Sequence, residues 1–147
     1  MTPYLDAGFL LTLLVPTDGT ALANQLLRRA TAPFALNFLH QLQAENLLKR
    51  METSLESQRK TAGFKGRQLW EQYLAEGVFH FKSTDWDIAF HAAIAWNDNC
   101  QSTPPLPLLL LHPALAVVAG AADFLSFEPR SRAAAKSVGL RVLPEQL

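Results

Sequence analysis

The chain has 147 residues, the length of one domain, and we predict that residues 1–147 fold as a single unit. About half of the residues are apolar, and 13 basic residues balance 13 acidic ones, so no global electric field favours a nucleic-acid partner. A single cysteine, Cys100, excludes an internal disulfide framework and favours a reducing compartment such as the cytoplasm.

Short apolar segments alternate with segments of helical periodicity along the chain. Strands are predicted at Thr2–Asp6, Pro33–Leu36, Val78–Lys82, Asp123–Phe127 and Leu140–Leu143. Helices are predicted from near Gly8, over Thr20–Ala30, Phe38–Met51 and Arg67–Ala75, from the Ser83–Asp85 cap to about Asn97, up to about Ala119, and over Pro129–Val138. This alternation predicts a three-layer α/β/α domain with a parallel sheet of about five strands and right-handed crossovers.

Three further segments need an interpretation of their own. Thr53–Phe64 is polar and is either a connection or the start of the helix that follows it. Gln101–Pro107 holds three prolines, which predicts a loop or turn. Leu106–Ala122 is a mostly apolar stretch of 17 residues, but it contains His112 and is short for a membrane-spanning helix. We therefore expect a buried helix that covers the sheet, and no membrane partner.

Two carboxylates stand at the ends of predicted strands. Asp6 closes the first strand, and Glu128 follows the fourth. The carboxyl ends of parallel strands meet at the edge where open α/β sheets bind ligands, and divalent metals favour clustered carboxylates. The sequence therefore predicts an acidic ligand site, although Asp6 could instead bond to backbone groups and Glu128 could serve as a helix-start carboxylate.

Several short motifs occur in an order typical of one family. They are the strand with Asp6, Glu45 within Leu42–Leu48, Gly120–Ala121, Phe124–Glu128, Arg130 and Gly139–Val142. Over nearly its whole length the chain resembles the PIN-domain family of small metal-dependent ribonucleases, many of which are toxins of bacterial toxin–antitoxin pairs. The resemblance implies a PIN-like fold, an Mg²⁺ or Mn²⁺ site that cleaves RNA phosphodiesters, a homodimer, and an antitoxin protein as partner.

The resemblance also implies roles for individual residues. Asp6, Glu45 and Glu128 would be the catalytic metal ligands, and Ser126 would orient the site through its hydroxyl. Glu128 stands where the family usually has aspartate, so its carboxylate reaches one methylene further. The face of Glu45 stays open, because its helical neighbours Gln41 and Leu42 are polar and apolar respectively. If a structure turns Glu45 or Glu128 away from Asp6, the nuclease with these three ligands fails.

One family position is changed. Leu109 stands where the family places an aspartate, three residues before a frequent histidine that His112 matches. Pro113 also removes the amide that would bond to the Leu109 carbonyl. A missing carboxylate should weaken the site, because metal catalysis needs the ion and its water to be fixed in line with the phosphate. His112 could replace the ligand or simply pack, and Asp98 could reach the site from the preceding loop.

Two functions therefore stay open. The first is a metal-dependent endoribonuclease, weakened by Leu109. The second is a catalytically inactive PIN-like domain that acts as a binding or scaffold protein. The segment from Lys49 to Arg67 holds six basic and two acidic residues, which indicates either a solvated helix pair or a phosphate-binding patch. If the segment is a phosphate-binding patch, Lys49, Arg50, Lys65 and Arg67 would bind RNA.

Overall fold

The computed structural model describes residues 2–98 and 107–146, and for residues 107–109 it describes the backbone alone. Within these ranges the chain forms five strands and seven helices. The strands are β1 (Tyr4–Leu5), β2 (Phe34–Leu36), β3 (Phe79–Phe81), β4 (Asp123–Leu125) and β5 (Arg141–Leu143). The helices are α1 (Ala7–Leu14), α2 (Thr20–Arg29), α3 (Phe38–Glu52), α4 (Ser57–Ala75), α5 (Trp86–Asp98), α6 (Pro107–Val118) and α7 (Pro129–Ser137). The predicted alternation of strands and helices is confirmed.

Local signals explain most of the element boundaries. The Ile88 N–H donates to Asp85 Oδ1 at 3.1 Å, so the predicted cap does begin α5. Gly77 and Gly139 follow α4 and α7 with φ angles of +70° and +86°, a conformation that favours glycine. The polar segment Thr53–Phe64 is mostly the first half of α4, which runs on without a break to Ala75.

The region around α6 is described only in part. The predicted loop Gln101–Pro107 lies outside the described residues apart from Pro107, which begins α6. Pro113 lies inside this helix without ending it. No helix within residues 2–98 and 107–146 is long and apolar enough to cross a membrane.

All strand pairs in the described ranges are parallel, but they form two sheets. β4 lies between β1 and β5, with Tyr4 opposite Phe124 and Phe124 opposite Val142. β2 pairs with β3 alone, with Phe34 opposite Phe79. The prediction of about five strands in one sheet is therefore wrong: the main sheet has three.

A buried histidine occupies the edge of β1 that faces away from β4. In a parallel strand, the backbone groups of successive residues point to opposite neighbours. The Asp6 N–H donates to the Leu125 carbonyl on the β4 side at 3.0 Å. The Leu5 carbonyl points the other way, towards β2, and there it lies 2.7 Å from His40 Nε2. His40 thus occupies the acceptor that a β2 N–H would need to extend the sheet.

Helices cover both faces of the main sheet. Because side chains alternate along a strand, Leu5 and Leu125 face one side while Tyr4 and Phe124 face the other. The first pair is buried in a core with side chains of α1, α2, α3 and α4. The second pair is buried in a core with side chains of α5, α6 and α7.

Two glycines let α4 approach its neighbours closely. A Cβ at Gly63 would lie 2.7 Å from the Met51 Cβ on α3. A Cβ at Gly66 would lie 2.8 Å from the Leu14 carbonyl oxygen at the end of α1. These contacts leave no room for a side chain, so they fix the distance between α3 and α4 and the face that α3 turns to α4.

Candidate acidic site

Asp6 lies between β1 and α1 and caps the helix. Its Oδ1 accepts the Phe9 N–H at 2.7 Å, and the residue is only 4% exposed. Burial raises the pKa of the Asp6 carboxyl, and the charge of Glu128 adds to this rise. Hydrogen bonds from the hydroxyls of Ser126 and Ser131 act against it. The end of β1 therefore holds a carboxyl whose ionisation is costly, a property that is common at functional sites.

Glu128 approaches Asp6 from the segment after β4. Its carboxylate caps α7 by accepting the Ser131 N–H, and its own N–H donates to Ser126 Oγ at 3.1 Å. The Ser126 hydroxyl thus contacts both carboxylate residues. The helix-start role of Glu128 and its position beside Asp6 coexist. We call Asp6, Ser126, Glu128 and Ser131 the acidic site.

Arg132 supports the acidic site, and the sequence analysis missed it. The residue is 7% exposed, and its guanidinium donates to the Ser126 carbonyl at 2.7 Å and to the Pro144 carbonyl at 2.6 Å. Burial lowers the pKa of Arg132, while the negative charge of Asp6 raises it. The available signal was its spacing, since Arg132 comes one helical turn after Glu128 and therefore faces the same way.

A hydrogen-bonded chain connects Tyr4 to two helices. The Asn37 amide donates to Tyr4 Oη at 3.2 Å, Tyr4 Oη lies 3.0 Å from His112 Nδ1, and His112 Nε2 lies 3.0 Å from Gln43 Oε1. An amide oxygen only accepts, so His112 carries its proton on Nε2 and Tyr4 donates to Nδ1. Burial lowers the pKa of His112, in agreement with a neutral ring. Both ring nitrogens are engaged, which favours the packed role over metal ligation.

His40 lies beside this chain and is fully buried. Its Nδ1 accepts the Asn37 N–H at 3.1 Å, and its ring centre is 5.1 Å from Tyr4 and 4.9 Å from His112. Burial lowers the pKa of His40 to about 4. We call Tyr4, Asn37, His40, Gln43 and His112 the histidine network. Its one sequence signal was a capping box, with Asn37 before α3 and His40 three residues later.

Glu45 lies in a different environment. Its Oε2 is 2.9 Å from Arg67 Nη1, and Arg67 also holds Glu52 through Nε and Nη2. The two carboxylates, Glu52 first, raise the pKa of Arg67. We call Glu45, Glu52 and Arg67 the ion-pair cluster. Its side chains join α3 to α4.

The direction of Glu45 bears on the predicted metal site. At 3.6 residues per turn, Gln43 and Glu45 project about 200° apart on α3. Gln43 bonds to His112 on α6, whereas Glu45 bonds to Arg67 on α4. Within the described part of the chain, no three His, Cys, Asp or Glu side chains are grouped to hold a metal ion. The ligand set Asp6, Glu45 and Glu128 stays a prediction: Asp6 and Glu128 share Ser126 as a neighbour and their charges interact, whereas Glu45 bonds to Arg67.

The remaining predicted residues take varied positions. The side chain of Leu109 lies outside the described part of α6, and Asp98 ends α5 with an exposed side chain. Lys49, Arg50 and Lys65 are exposed and form no ion pair with any described residue, whereas Arg67 belongs to the ion-pair cluster.

Comparison of the sequence with protein-family models returns no matching family, and comparison with curated proteins returns no significant match. The resemblance to PIN domains therefore depends on the residues named above and stays a prediction.

Proposed function

We propose that this chain is a PIN-like endoribonuclease that depends on Mg²⁺ or Mn²⁺ and acts as a toxin-like component on RNA phosphodiesters. The observation that carries the proposal is the interaction of Asp6 with Glu128. These carboxylates come from distant parts of the chain and meet beyond the carboxyl ends of β1 and β4. Open α/β sheets bind their ligands at this edge.

The donor set fits a hard divalent cation with two carboxylates. Mg²⁺ in enzymes is usually held by one or two carboxylates together with waters and substrate oxygens, and Asp6 and Glu128 would provide the protein oxygens. Two neighbouring carboxylates disfavour each other's ionisation, and a bound cation would remove this penalty. When bound, the metal would activate a water and offset charge on the phosphate. The hydroxyls of Ser126 and Ser131 would keep the Asp6 carboxylate oriented.

Glu45 bonds to Arg67 on α4, which counts against the three-carboxylate nuclease of the sequence analysis, so the proposal here keeps a two-carboxylate site. Glu45 would have to give up its bond to Arg67 and turn away from α4 before it could reach a metal beside Asp6. The exposed cations Lys49, Arg50 and Lys65 are better placed for their proposed role, because free ammonium and guanidinium groups attract RNA phosphates.

Titration of Mn²⁺ by calorimetry tests the proposal. The wild-type chain should bind the ion, Asp6→Asn should abolish binding, Glu128→Gln should weaken it, and Glu45→Gln should change it least. Cleavage of a labelled RNA in Mn²⁺ should follow the same order. A wild-type chain that binds no Mn²⁺, or binding that survives Asp6→Asn, would contradict the proposal.

A second candidate is a catalytically inactive PIN-like domain that binds or scaffolds a partner. The specific observation in its favour is that Arg67 already neutralises Glu45, while the α3 side chain that bonds to His112 is the uncharged Gln43. RNA binding without Mn²⁺, measured by fluorescence anisotropy and lost in a Lys49→Glu, Arg50→Glu variant, would support this candidate if no cleavage follows. The homodimer and the antitoxin partner are proposals for either candidate.

A further inference from the structure

The peptide group that leads into Asp6 is held at both ends. Its N–H, which belongs to Asp6, donates to the Leu125 carbonyl at 3.0 Å. Its C=O, which belongs to Leu5, lies 2.7 Å from His40 Nε2. A peptide group is planar, so these two bonds fix its orientation, and with it the position of the Asp6 Cα from which the side chain extends. β4 provides one of the two bonds and a single side chain provides the other.

The imidazole that makes this second bond is itself fixed. A carbonyl oxygen only accepts, so we assign the proton of His40 to Nε2, and Nδ1 then accepts the Asn37 N–H at 3.1 Å with Asn37 Oδ1 also 3.0 Å away. The rings of Tyr4 and His112 lie beside it, and the residue is fully buried. Rotation of the ring would break both bonds inside the core, where a buried polar group without a partner is costly.

We infer that His40 is a positioning residue for Asp6, which it holds at the acidic site through the Leu5 carbonyl without touching metal or RNA. The inference deepens the proposed function and rests on it, because Asp6 is the residue that would bind the metal. It also gives a role to the edge of β1 that does not pair with β2: the Leu5 carbonyl on this edge bonds to His40.

Two polar substitutions separate positioning from simple packing. The amide nitrogen of Gln in His40→Gln reaches roughly the place of Nε2, so it can still donate to Leu5. The shorter Asn in His40→Asn reaches roughly the place of Nδ1 and leaves the carbonyl without a donor. His91 on α5 is an exposed histidine, so His91→Asn is the matched control. For each chain we would measure the melting temperature, the pKa of Asp6 by carboxyl ¹³C NMR, and Mn²⁺ affinity by calorimetry.

We expect His40→Asn to lower Mn²⁺ affinity by roughly 10-fold to 100-fold, the usual effect of losing a group that orients a metal ligand. It should also move the pKa of Asp6 towards its ordinary value, since a loosened carboxyl reaches water. His40→Gln should lie close to the wild type in both measurements, and His91→Asn should not differ from it. Melting temperatures that fall in both His40 variants while the Asp6 pKa and the Mn²⁺ affinity stay constant would overturn the inference.

The wild-type chain provides a test that needs no variant. The ¹⁵N chemical shifts of His40 should report a proton on Nε2 and a bare Nδ1, and a ring protonated on Nδ1 would also overturn the inference. If the wild type binds no Mn²⁺, the proposed function fails, yet the pKa of Asp6 in the two variants still decides whether His40 positions it.

Discussion

The acidic site and the ion-pair cluster each contain two carboxylates, but different groups stabilise the charges in the two places. Asp6 is 4% exposed and forms no ion pair with any side chain in the described ranges, so hydroxyls and a backbone N–H stabilise its charge. In the cluster Arg67 binds Glu45 and Glu52, whose side chains are 43% and 11% exposed. A carboxylate already paired with a guanidinium has little to gain from a further cation. Asp6 has no such partner among the described residues, and this difference supports our proposal that Asp6 is a metal ligand.

The largest expected effect is a loss of stability at low pH, which arises in the histidine network beside Asp6. Burial lowers the pKa of His40 from 6.5 to about 4. Between pH 6.5 and about pH 4, His40 is therefore protonated in the unfolded chain and neutral in the folded chain. Stability should therefore fall as pH drops from about 6.5 to about 4, by about 2–3 kcal/mol from this group. Urea unfolding at pH 7 and at pH 4.5 measures the loss.

Two variants serve as controls for this acid effect. His40→Gln cannot titrate, so its stability should depend much less on pH, whereas the exposed His91→Gln should behave as the wild type. Equal pH dependence in wild type and His40→Gln would show that the acid sensitivity arises elsewhere.

The second effect tests how firmly packing holds the ion-pair cluster in place. Gly66→Ala would put a Cβ 2.8 Å from the Leu14 carbonyl, a backbone atom that cannot move aside. Overpacking of this kind costs about 1–3 kcal/mol, even though alanine is the better helix former. Gly8→Ala on α1 is the control, because its Cβ would meet Asp6 Oδ1 at an ordinary 3.4 Å. We expect chemical denaturation to show a loss for Gly66→Ala and none for Gly8→Ala. Equal stabilities would mean that α4 can shift.

The acidic site was easier to predict than the face of α3. Asp6 and Glu128 follow strands, and the ends of parallel strands share an edge, so local sequence was enough to place them together. Leu42 was counted among the apolar residues of α3, yet it is 67% exposed. The buried positions are His40, Ala44, Leu48 and Met51, and with this face inward Glu45 lies towards α4. Apolar periodicity alone therefore could not decide the direction of Glu45.

The sheet shows a second limit of sequence reasoning. All five predicted strands form in the described chain, because each is a short apolar run with clear boundaries. At the break between β1 and β2 the Leu5 carbonyl bonds instead to His40, a residue far from it in sequence. A pairing of this kind leaves no trace in composition or spacing, so a single sheet was the natural expectation.

The third prediction concerns Asp6→Asn, which removes the charge of the side chain while keeping its shape. The pKa of Asp6 is raised in the folded chain, so the protonated carboxyl favours folding. This contribution to the free energy of unfolding is complete at pH values below the pKa of Asp6 in the unfolded chain, and it is lost as pH rises through the pKa of Asp6 in the folded chain. Ionisation of Asp6 therefore reduces stability. Asp6→Asn should increase the free energy of unfolding, by about 1 kcal/mol, because asparagine still caps α1. The gain should vanish near pH 3, and a variant less stable than wild type at pH 7 would contradict it.

The smallest effect is expected at Glu45, and it completes the comparison. Glu45→Gln removes the bond from Arg67 Nη1 to a carboxylate, but the Glu45 side chain is 43% exposed and Arg67 keeps Glu52. Pairs of this kind contribute about 0.2–1 kcal/mol, and salt screens them. Urea unfolding in low and in high NaCl should show a small loss that disappears in high salt, whereas Glu71→Gln, an exposed residue of α4 that forms no ion pair with a described residue, should show none. A loss at Glu45 that persists in high salt would mean that its charge is held as tightly as that of Asp6, and the distinction between a functional and a structural carboxylate pair would fail.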